Sequence, residues 1–358
     1  MNNQKVIISK DLRDSLTAAM AECERDRVFV LTDMNTQKCC LPLISIIDTV
    51  RDAQVITIGA TDENKTLDSL SQVWTALQQG GATRHSLMIN LGGGMVTDLG
   101  GFAAATFKRG INCINIPTTL LAMVDASVGG KTGINFGGLK NEVGVFANAS
   151  SVILDTQFLK TLDEENILSG YAEMLKHGLI SDDAHLAELL SFDIDHPDLE
   201  KLGDMVARSV KVKEAIVTED PTEQGLRKAL NLGHTVGHAF ESLALGDTRR
   251  FHLPSGAPLL HGYAVAYGII CELYLSSVLT GFPTDRMRQV VQFIRSNYGQ
   301  MAITCDDYPT LLQLMTHDKK NVAGKINFTL LNGIGDIALN QTASDKDIKE
   351  ALDFYREG

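Results

Sequence analysis

The chain has 358 residues, and its 32 Lys and Arg stand against 44 Asp and Glu, which gives a formal net charge of −12 at pH 7. Its 44% hydrophobic and 21% charged residues exclude a disordered chain, and its length predicts a globular protein of two or three domains, at roughly 100–200 residues per domain. The acidic balance excludes a nucleic-acid binder, because the phosphate backbone selects a basic surface.

Apolar segments and cysteines indicate the compartment. Residues 6–8 are too short for a signal-peptide core, and residues 264–279 are interrupted by Glu272 and shorter than a membrane span. The six cysteines form no Cys-x-x-Cys pair. We expect a cytoplasmic enzyme with reduced thiols and with no nucleic-acid or membrane partner.

The first 155 residues alternate short β-branched runs with helical patterns. Strands are predicted at 28–31, 55–58, 87–91, 113–116 and 152–154. Helical patterns between them include residues 67–77 and 95–107. This alternation predicts βαβ crossovers and a mostly parallel sheet.

Beyond residue 155 the pattern becomes helical. A capping-box pattern begins at Thr161. Helices are predicted at 167–180, 205–217, 227–243, 264–279 and 285–298. We therefore expect one domain at 1–155 and a second at 156–358.

Two glycine-rich turns suggest anion sites. The Gly-Gly-Gly turn at 92–94 lies between a predicted strand and a predicted helix, so it is either a pyrophosphate site or a plain tight turn. Asp33 ends an earlier strand and suits a ribose hydroxyl, or is a solvated strand end. A second glycine-containing run, GGKT at 129–132, is not the phosphate-binding loop of an ATPase, because Asp125 stands where that loop needs a glycine. Lys131 is then either a cation held in a fixed position or an ordinary surface lysine.

Polar residues also recur at helical spacing in the second half. We interpret them as lining a cavity or metal site rather than a solvated face, because solvated faces usually carry Lys and Glu. They are Arg227, Asn231, His234, His238 and Glu241. Glu173 and Lys176 share a predicted helix face, and His261 begins an apolar helix. These three could join a metal site, or form a surface ion pair and a core histidine.

Three segments resemble the sugar-phosphate cyclase family, and most closely its 3-dehydroquinate synthase branch, over nearly the whole chain. They are GGGMVTDLGGF at 92–102, PTTLLAMVDASVGGKTGIN at 117–135 and LNLGHTVGH at 230–238. The resemblance implies an α/β N-terminal nucleotide-binding domain with a mostly parallel sheet, followed by an all-helical C-terminal domain for metal and substrate.

The resemblance also implies a reaction, that of a phosphate-eliminating lyase of the shikimate pathway. The substrate would be 3-deoxy-D-arabino-heptulosonate 7-phosphate, a small phosphorylated carboxylate sugar, and the products 3-dehydroquinate and phosphate. The steps would be transient oxidation by NAD, phosphate elimination, reduction and intramolecular aldol cyclisation. Zinc, or another divalent metal such as cobalt, would act as a Lewis acid.

Matched position by position, the family pattern implies roles for the candidate residues. The metal would be held by Glu173, His234 and His261. NAD would be surrounded by Asp33, Asn35, Lys65, Gly93, Gly94, Asp98, Thr118, Thr119 and Lys140. The substrate phosphate would be bound by Lys131, Asn141, Asn231, His238 and either Lys319 or Lys320. The substrate carboxylate would face Lys213 and Arg227, and the ring hydroxyls Asp125 and Lys176. Arg109 would reach the phosphate from the neighbouring subunit of a homodimer.

Three features depart from the family pattern. Tyr263 follows His261 and Gly262 where the family usually has glutamate, an extra loop covers 245–260, and residues 61–65 replace the usual Gly-Glu-x-x-Lys segment. Two alternatives remain. Another sugar-phosphate cyclase would act on a substrate without the carboxylate, and a metal- and NAD-dependent alcohol or glycerol dehydrogenase would accumulate NADH.

Overall fold

The computed structural model describes residues 4–316 and 326–357. The chain divides into two compact units, each with a buried apolar core. The first unit comprises Met1–Asp163 and Asp198–Val210. The second comprises Glu164–Pro197 and Lys211–Gly358.

The first unit is an α/β structure. Its strands are β1 (Lys5–Ile8), β2 (Val28–Asp33), β3 (Gln54–Ile58), β4 (Leu87–Gly92), β5 (Asn112–Pro117), β6 (Lys131–Phe136), β7 (Leu139–Phe146) and β8 (Ser151–Leu154). Its helices are α1 (Leu12–Ala21), α2 (Met34–Cys39), α3 (Leu41–Ser45), α4 (Leu67–Gln79) and α5 (Gly94–Thr106). Shorter helical turns lie at Asp62–Asn64, Phe107–Arg109, Ala122–Ala126 and Thr156–Thr161.

Six of these strands form one parallel sheet in the order β1-β8-β5-β4-β2-β3. Strands β4 and β8 are buried along their whole length, which agrees with their mostly apolar sequences, and the buried Asn90 of β4 donates to Asn115 of β5 at 2.8 Å. The five strands expected from the sequence and the parallel sheet are confirmed. Strand β1 and the antiparallel β6–β7 hairpin were not expected, because their apolar runs are short or interrupted by glycine.

The strand order reverses between β2 and β4. From β2 the chain moves outward to β3, and it then returns to the other side of β2 to place β4, β5 and β8. In open parallel sheets, ligands bind beyond the carboxyl ends of the strands at such a reversal. Here those ends are Asp33 of β2 and Gly92 of β4.

The second unit is mainly helical. Its helices are α6 (Glu164–Leu179), α7 (Asp183–Leu190), α8 (Leu199–Glu219, which begins in the first unit), α9 (His234–Gly246), α10 (His261–Leu279), α11 (Thr284–Tyr298), α12 (Tyr308–Thr316) and α13 (Asp345–Glu357). Strands β9 (Asn327–Gly333) and β10 (Asp336–Thr342) form an antiparallel hairpin. Short 3₁₀ segments lie at Leu226–Asn231 and Cys305–Asp307.

Three local predictions for this half were wrong. The region is not all-helical, because β9 and β10 form their hairpin within it. The continuous helix expected at 227–243 is broken, since a 3₁₀ segment ends at Asn231 and Gly233 takes a left-handed φ of 79° before α9 begins. Thr161 caps no helix, because it ends a 3₁₀ turn and its hydroxyl donates to the Phe158 carbonyl at 2.7 Å.

Helix α10 is the central helix of the second unit and packs against α6, α9, α11 and α13. By length and composition it could cross a membrane, but 78% of the relevant 18-residue window is buried inside the protein. Two glycines allow its close contacts. A Cβ on Gly268 would lie 2.0 Å from the Gly233 carbonyl oxygen of α9's first turn, and one on Gly262 would lie 1.8 Å from the Ser169 carbonyl oxygen of α6. At Gly268 and Gly262 the backbone of α10 therefore contacts the backbones of its neighbouring helices directly, with no room for a side chain.

Gly268→Ala is expected to lower the free energy of unfolding by about 1–3 kcal/mol, because α9 and α10 must separate to admit the methyl group. Urea denaturation followed by circular dichroism measures the change. Gly246→Ala is the matched control, since nothing lies within 4 Å of the added Cβ at that position. A shift at Gly268 no larger than the control's would show that the crossing tolerates a side chain.

Candidate active site

The central feature of the second unit is a buried carboxylate that faces two imidazoles. Glu173 lies on α6, while His234 and His261 are the first residues of α9 and α10. The Oε1 atom of Glu173 is 3.3 Å from His234 Nε2 and 3.6 Å from His261 Nε2. Among the described residues this fully buried oxygen has no hydrogen-bond partner. Two imidazole nitrogens and one carboxylate oxygen, all within 4.8 Å of one another, fit the donor set of a catalytic divalent metal.

The two histidines are oriented through their other ring nitrogens. His234 Nδ1 donates to the Leu232 carbonyl at 3.0 Å, and His261 Nδ1 donates to Glu241 Oε2 at 3.2 Å. Partners of this kind set the tautomer and the direction of a ligating imidazole. Both Nε2 atoms are thereby left for a metal.

Lys176, one helical turn beyond Glu173, forms a fully buried ion pair with the carboxylate through Glu173 Oε2. Burial opposes ionisation of Glu173, but neighbouring positive charge, chiefly the Lys176 ammonium, outweighs it and holds the pKa of the carboxyl well below its usual range. Glu173 is therefore an anion at neutral pH. The surface-pair alternative for Glu173 and Lys176 was wrong, because both side chains are buried.

The two histidines have opposite pKa shifts. Burial lowers the pKa of His234 to about 4. Burial acts in the same direction on His261, but the carboxylates of Glu241 and Glu173 outweigh it and raise its pKa to about 10. In the metal-free protein His234 is thus neutral and His261 protonated at neutral pH.

Metal binding is expected to release close to one proton per ion at pH 7, because His261 must lose its proton to become a ligand. The release should vanish as the pH rises through about 10. The protonated imidazole stabilises the metal-free fold fully below its unfolded pKa of 6.5, and that contribution is lost as the pH rises through the folded value of about 10. Calorimetric Zn²⁺ titrations in buffers of different ionisation enthalpy count the protons. A heat independent of the buffer would contradict the raised pKa.

His238 adjoins two of the candidate metal ligands, with its ring centroid 5.4 Å from that of His234 and 5.9 Å from that of His261. Lys213 lies on α8 and is buried. Lys319 and Lys320 lie outside the described residues.

Arg227 and Asn231 are held by the loop that precedes them. The Arg227 guanidinium is buried and donates to the Pro221 carbonyl at 2.7 Å, while its backbone N–H donates to Asp220 Oδ2 at 3.1 Å. The Asn231 side-chain amide donates to Glu223 Oε1 at 2.9 Å. Sequence reasoning missed both loop carboxylates, although the acidic run before Arg227 was a usable signal.

Tyr263, which stands where the family usually has glutamate, lies in a cluster of tyrosine rings. Its buried ring packs against that of Tyr298, with centroids 5.1 Å apart. The carboxylate beside His261 is supplied by Glu241 on α9. The sequence signal was present, because Glu241 belongs to the helically spaced polar residues.

The extra loop at 245–260 is hydrogen-bonded to other segments of the second unit. Arg250 makes two hydrogen bonds to Asp307, at 2.7 and 2.6 Å. Ser255 donates to Glu165 from its backbone N–H at 3.0 Å and from its hydroxyl at 2.6 Å. The longer spacing between His234 and His261 is thus accommodated by a loop that is hydrogen-bonded to the rest of the unit.

In the first unit the glycine turn joins β4 to α5. Gly93 is the N-cap of α5 and carries no side chain to accept from the first-turn N–H groups. A Cβ on Gly93 would lie 3.1 Å from Thr119 Cγ2. The Thr118 N–H donates to the Gly92 carbonyl at 3.0 Å, so the ends of β4 and β5 are joined. An uncapped helix N-terminus in this position suits a pyrophosphate.

Asp33 is not simply a solvated strand end. Its Oδ1 caps α2 by accepting from the backbone N–H groups of Asn35 at 2.7 Å and Thr36 at 2.9 Å. Oδ2 is not used by this cap. The carboxylate is therefore held rigidly at the carboxyl end of β2.

Lys65, Asp98 and Asn141 are brought together. The buried Lys65 ammonium donates to Asp98 Oδ2 at 2.5 Å and to the Asn141 side-chain oxygen. Asn141 has a left-handed φ of 50°. Lys140 lies 3.6 Å from the carboxylate of Asp62.

The other candidates of the first unit lie on turns or strand ends. Asp125 is half-buried in the Ala122–Ala126 turn, and Lys131 is exposed at the start of β6. Arg109 is exposed and has a left-handed φ of 70°. The side chains of Arg109 and Lys131 are accessible on this unit.

Comparison with known proteins gives concordant results. A family model described as 3-dehydroquinate synthase N-terminal matches residues 55–169, and one described as 3-dehydroquinate synthase C-terminal matches 170–321. The chain is 55% identical over 357 residues to a 3-dehydroquinate synthase of Parabacteroides distasonis, covering 100% of the chain and 99% of the relative. A Pyrococcus furiosus 3-dehydroquinate synthase is 38% identical over 301 residues, or 84% of each protein.

Solved structures share the fold. The 2-epi-5-epi-valiolone synthase of Streptomyces hygroscopicus, with NAD⁺ and Zn²⁺ bound, superposes with a TM-score of 0.86 at 24% identity and covers 100% of this chain and 98% of that one. An iron-containing alcohol dehydrogenase of Thermococcus thioreducens has a TM-score of 0.69 at 15% identity, with 99% of each chain covered. The architecture is therefore common to cyclases and dehydrogenases.

Proposed function

The chain belongs to the 3-dehydroquinate synthase family, and from this we propose that Glu173, His234 and His261 hold the divalent metal of its reaction. The enzyme is a phosphate-eliminating lyase that converts 3-deoxy-D-arabino-heptulosonate 7-phosphate into 3-dehydroquinate and phosphate. The observation that supports the metal assignment is the buried Glu173 oxygen that faces two imidazole nitrogens.

A divalent ion in this site, zinc or cobalt, would act as a Lewis acid on a substrate hydroxyl and lower its pKa. The chain's own contribution is orientation. Glu241 and the Leu232 carbonyl aim the two imidazoles, and Lys176 neutralises the carboxylate oxygen that faces away from them. The three ligands are then pre-organised, because each has a fixed partner.

For the first unit we propose an NAD site at the carboxyl ends of β2 and β4. NAD would supply a hydride acceptor that is regenerated within one turnover. The α5 N-terminus at Gly93 and Gly94 would hold the pyrophosphate, and Asp33 Oδ2 a ribose hydroxyl. The remaining proposed contacts are Asn35, Lys65, Asp98, Thr118, Thr119 and Lys140.

The substrate contacts follow the charge that each residue can neutralise. Negative charge grows on the phosphate as it leaves, and fixed cations stabilise it most. For this group we propose Lys131, Asn141, Asn231, His238 and Lys319 or Lys320. For the carboxylate we propose Lys213 and Arg227, and for the ring hydroxyls Asp125 and Lys176. The buried, doubly anchored Arg227 suits a carboxylate, since its guanidinium can bind bidentately.

We propose a homodimer in which Arg109 serves the neighbouring subunit. Its exposure and its strained backbone support this, because such strain persists where the position is functional. We also propose residues 1–155 as the NAD-binding domain and 156–358 as the metal- and substrate-binding domain. The six free cysteines agree with the expected cytosolic setting.

One assay tests the reaction. Purified protein receives NAD, Zn²⁺ and the heptulosonate phosphate, and released phosphate and NADH absorbance are followed together. Phosphate release without accumulation of NADH is expected, because the hydride is returned. Stoichiometric NADH would indicate a dehydrogenase, and release of phosphate only from a sugar phosphate without a carboxylate would indicate another cyclase.

A further inference from the structure

The helix that carries His234 begins without a cap of its own. Its N-cap is Gly233, which has no side chain and takes a φ of 79°. The first N–H groups of any helix lack partners within it, and here the whole first turn is buried. Glycine is required at this position, because a Cβ would lie 2.6 Å from Ile269 Cγ1 and 3.0 Å from the Val265 carbonyl oxygen. The close crossing of α9 and α10 thus rules out the usual Ser, Thr, Asp or Asn cap.

The missing cap is supplied by a carboxylate from the neighbouring helix. Glu272 is fully buried on α10. Its Oε2 accepts from the Gly233 N–H at 2.6 Å, and its Oε1 accepts from the Val236 N–H at 3.1 Å. Gly233 and Val236 occupy the N-cap and N3 positions of α9. In a capping box the N–H groups of these two positions are bonded by two side chains of the same helix. Glu272 satisfies both with one carboxylate, and its negative charge is stabilised at the positive end of the α9 dipole.

His234 lies between the two amides that Glu272 holds. Its ring direction is set by that backbone and by the bond from Nδ1 to the Leu232 carbonyl. We propose that Glu272 is a positioning residue for the metal ligand His234, which it aims by clamping the first turn of α9. This inference rests on the proposed metal site.

The two hydrogen bonds from the first turn of α9 to the Glu272 carboxylate are called the clamp below. Glu272→Gln tests the clamp with a side chain of nearly the same shape. The new NH₂ group would face a backbone N–H, so at least one of the two buried donors loses its acceptor. Titration of the metal-free protein with Co²⁺ gives the affinity, and the d–d absorption of the bound ion reports its coordination. We expect an affinity about 10–100-fold weaker than in the wild type and an altered d–d spectrum. Glu272→Asp keeps the charge on a shorter arm and should recover part of the affinity.

Ile270→Ala is the matched control for loss of stability. Ile270 is fully buried on α10, two residues from Gly268 and so on nearly the opposite helix face from the α9 crossing. This variant should lower the melting temperature while leaving the Co²⁺ affinity and spectrum unchanged.

The outcomes separate the clamp from the site itself. Wild-type protein that binds no Co²⁺ would overturn the proposed metal site. Wild-type binding with an equal affinity and spectrum in Glu272→Gln would overturn the clamp alone, as would an equal loss of affinity in Ile270→Ala. If Glu272→Gln does not fold, Glu272→Asp takes its place, and wild-type affinity and spectrum in that variant overturn the clamp.

Discussion

His261→Ala is expected to abolish metal retention and to lower kcat/KM by about 10³-fold or more. The imidazole supplies one of the two nitrogen donors of the proposed metal site, and metal polarisation of the reacting hydroxyl is worth several kcal/mol, of which about 4 kcal/mol corresponds to 10³-fold. The metal content after dialysis, measured by atomic absorption, and the phosphate-release assay give the two readouts.

A matched control for this variant is His196→Ala. His196 belongs to the same unit, and its side chain is 86% exposed. It should retain full metal content and activity. An unchanged zinc content in His261→Ala would remove His261 from the ligand set, and circular dichroism shows whether the variant is folded.

Lys176→Met is expected to destabilise the metal-free protein by about 3–5 kcal/mol, because it leaves the buried carboxylate of Glu173 without its ammonium partner. The loss should be smaller in Zn²⁺, since the ion would supply the positive charge that Lys176 supplied. Urea denaturation of both proteins, with EDTA and with Zn²⁺, measures the two differences.

Lys346→Met controls for removal of a lysine. Lys346 forms an exposed i,i+4 pair with Glu350 at 3.6 Å, and such pairs contribute under about 1 kcal/mol. If Lys176→Met costs the same free energy with and without Zn²⁺, the metal and Lys176 do not share the Glu173 carboxylate.

The parallel sheet was predictable because burial on both faces imposes a local pattern. Strands β2 and β4 are mostly apolar and β5 alternates Ile with Asn and Cys, and each short pattern is readable without knowledge of its neighbours. The same holds for α10 and α11, whose lengths exceed what a strand could use. Local periodicity therefore predicted the elements whose environment is uniform along their length.

The break before α9 was not predictable in this way. The polar residues continue at helical spacing across Gly233, so the pattern indicates one helix. What ends the helix is the nearness of α10, where Ile269 and Val265 leave no room for a Cβ on Gly233. That contact joins segments distant in the chain, and no local pattern records it.

The sequence predicted only part of the candidate site, because a residue whose role depends on a distant contact leaves no local pattern. The residues proposed as metal ligands carry chemical signals of their own, whereas Glu272 is a single acidic residue in an apolar run. It looked like an interruption of a membrane-span pattern until the structure placed it at the first turn of α9. The role of such a residue depends on which backbone it meets.

The three proposed ligands come from separate helices, α6, α9 and α10, and two of them are helix-initial residues. None of the distances between the three ligand atoms exists until those helices have packed, so the proposed site is a property of the folded unit and not of any one helix. Since an ion that binds only the folded state stabilises it by mass action, a metal bound there would hold α6, α9 and α10 together against unfolding.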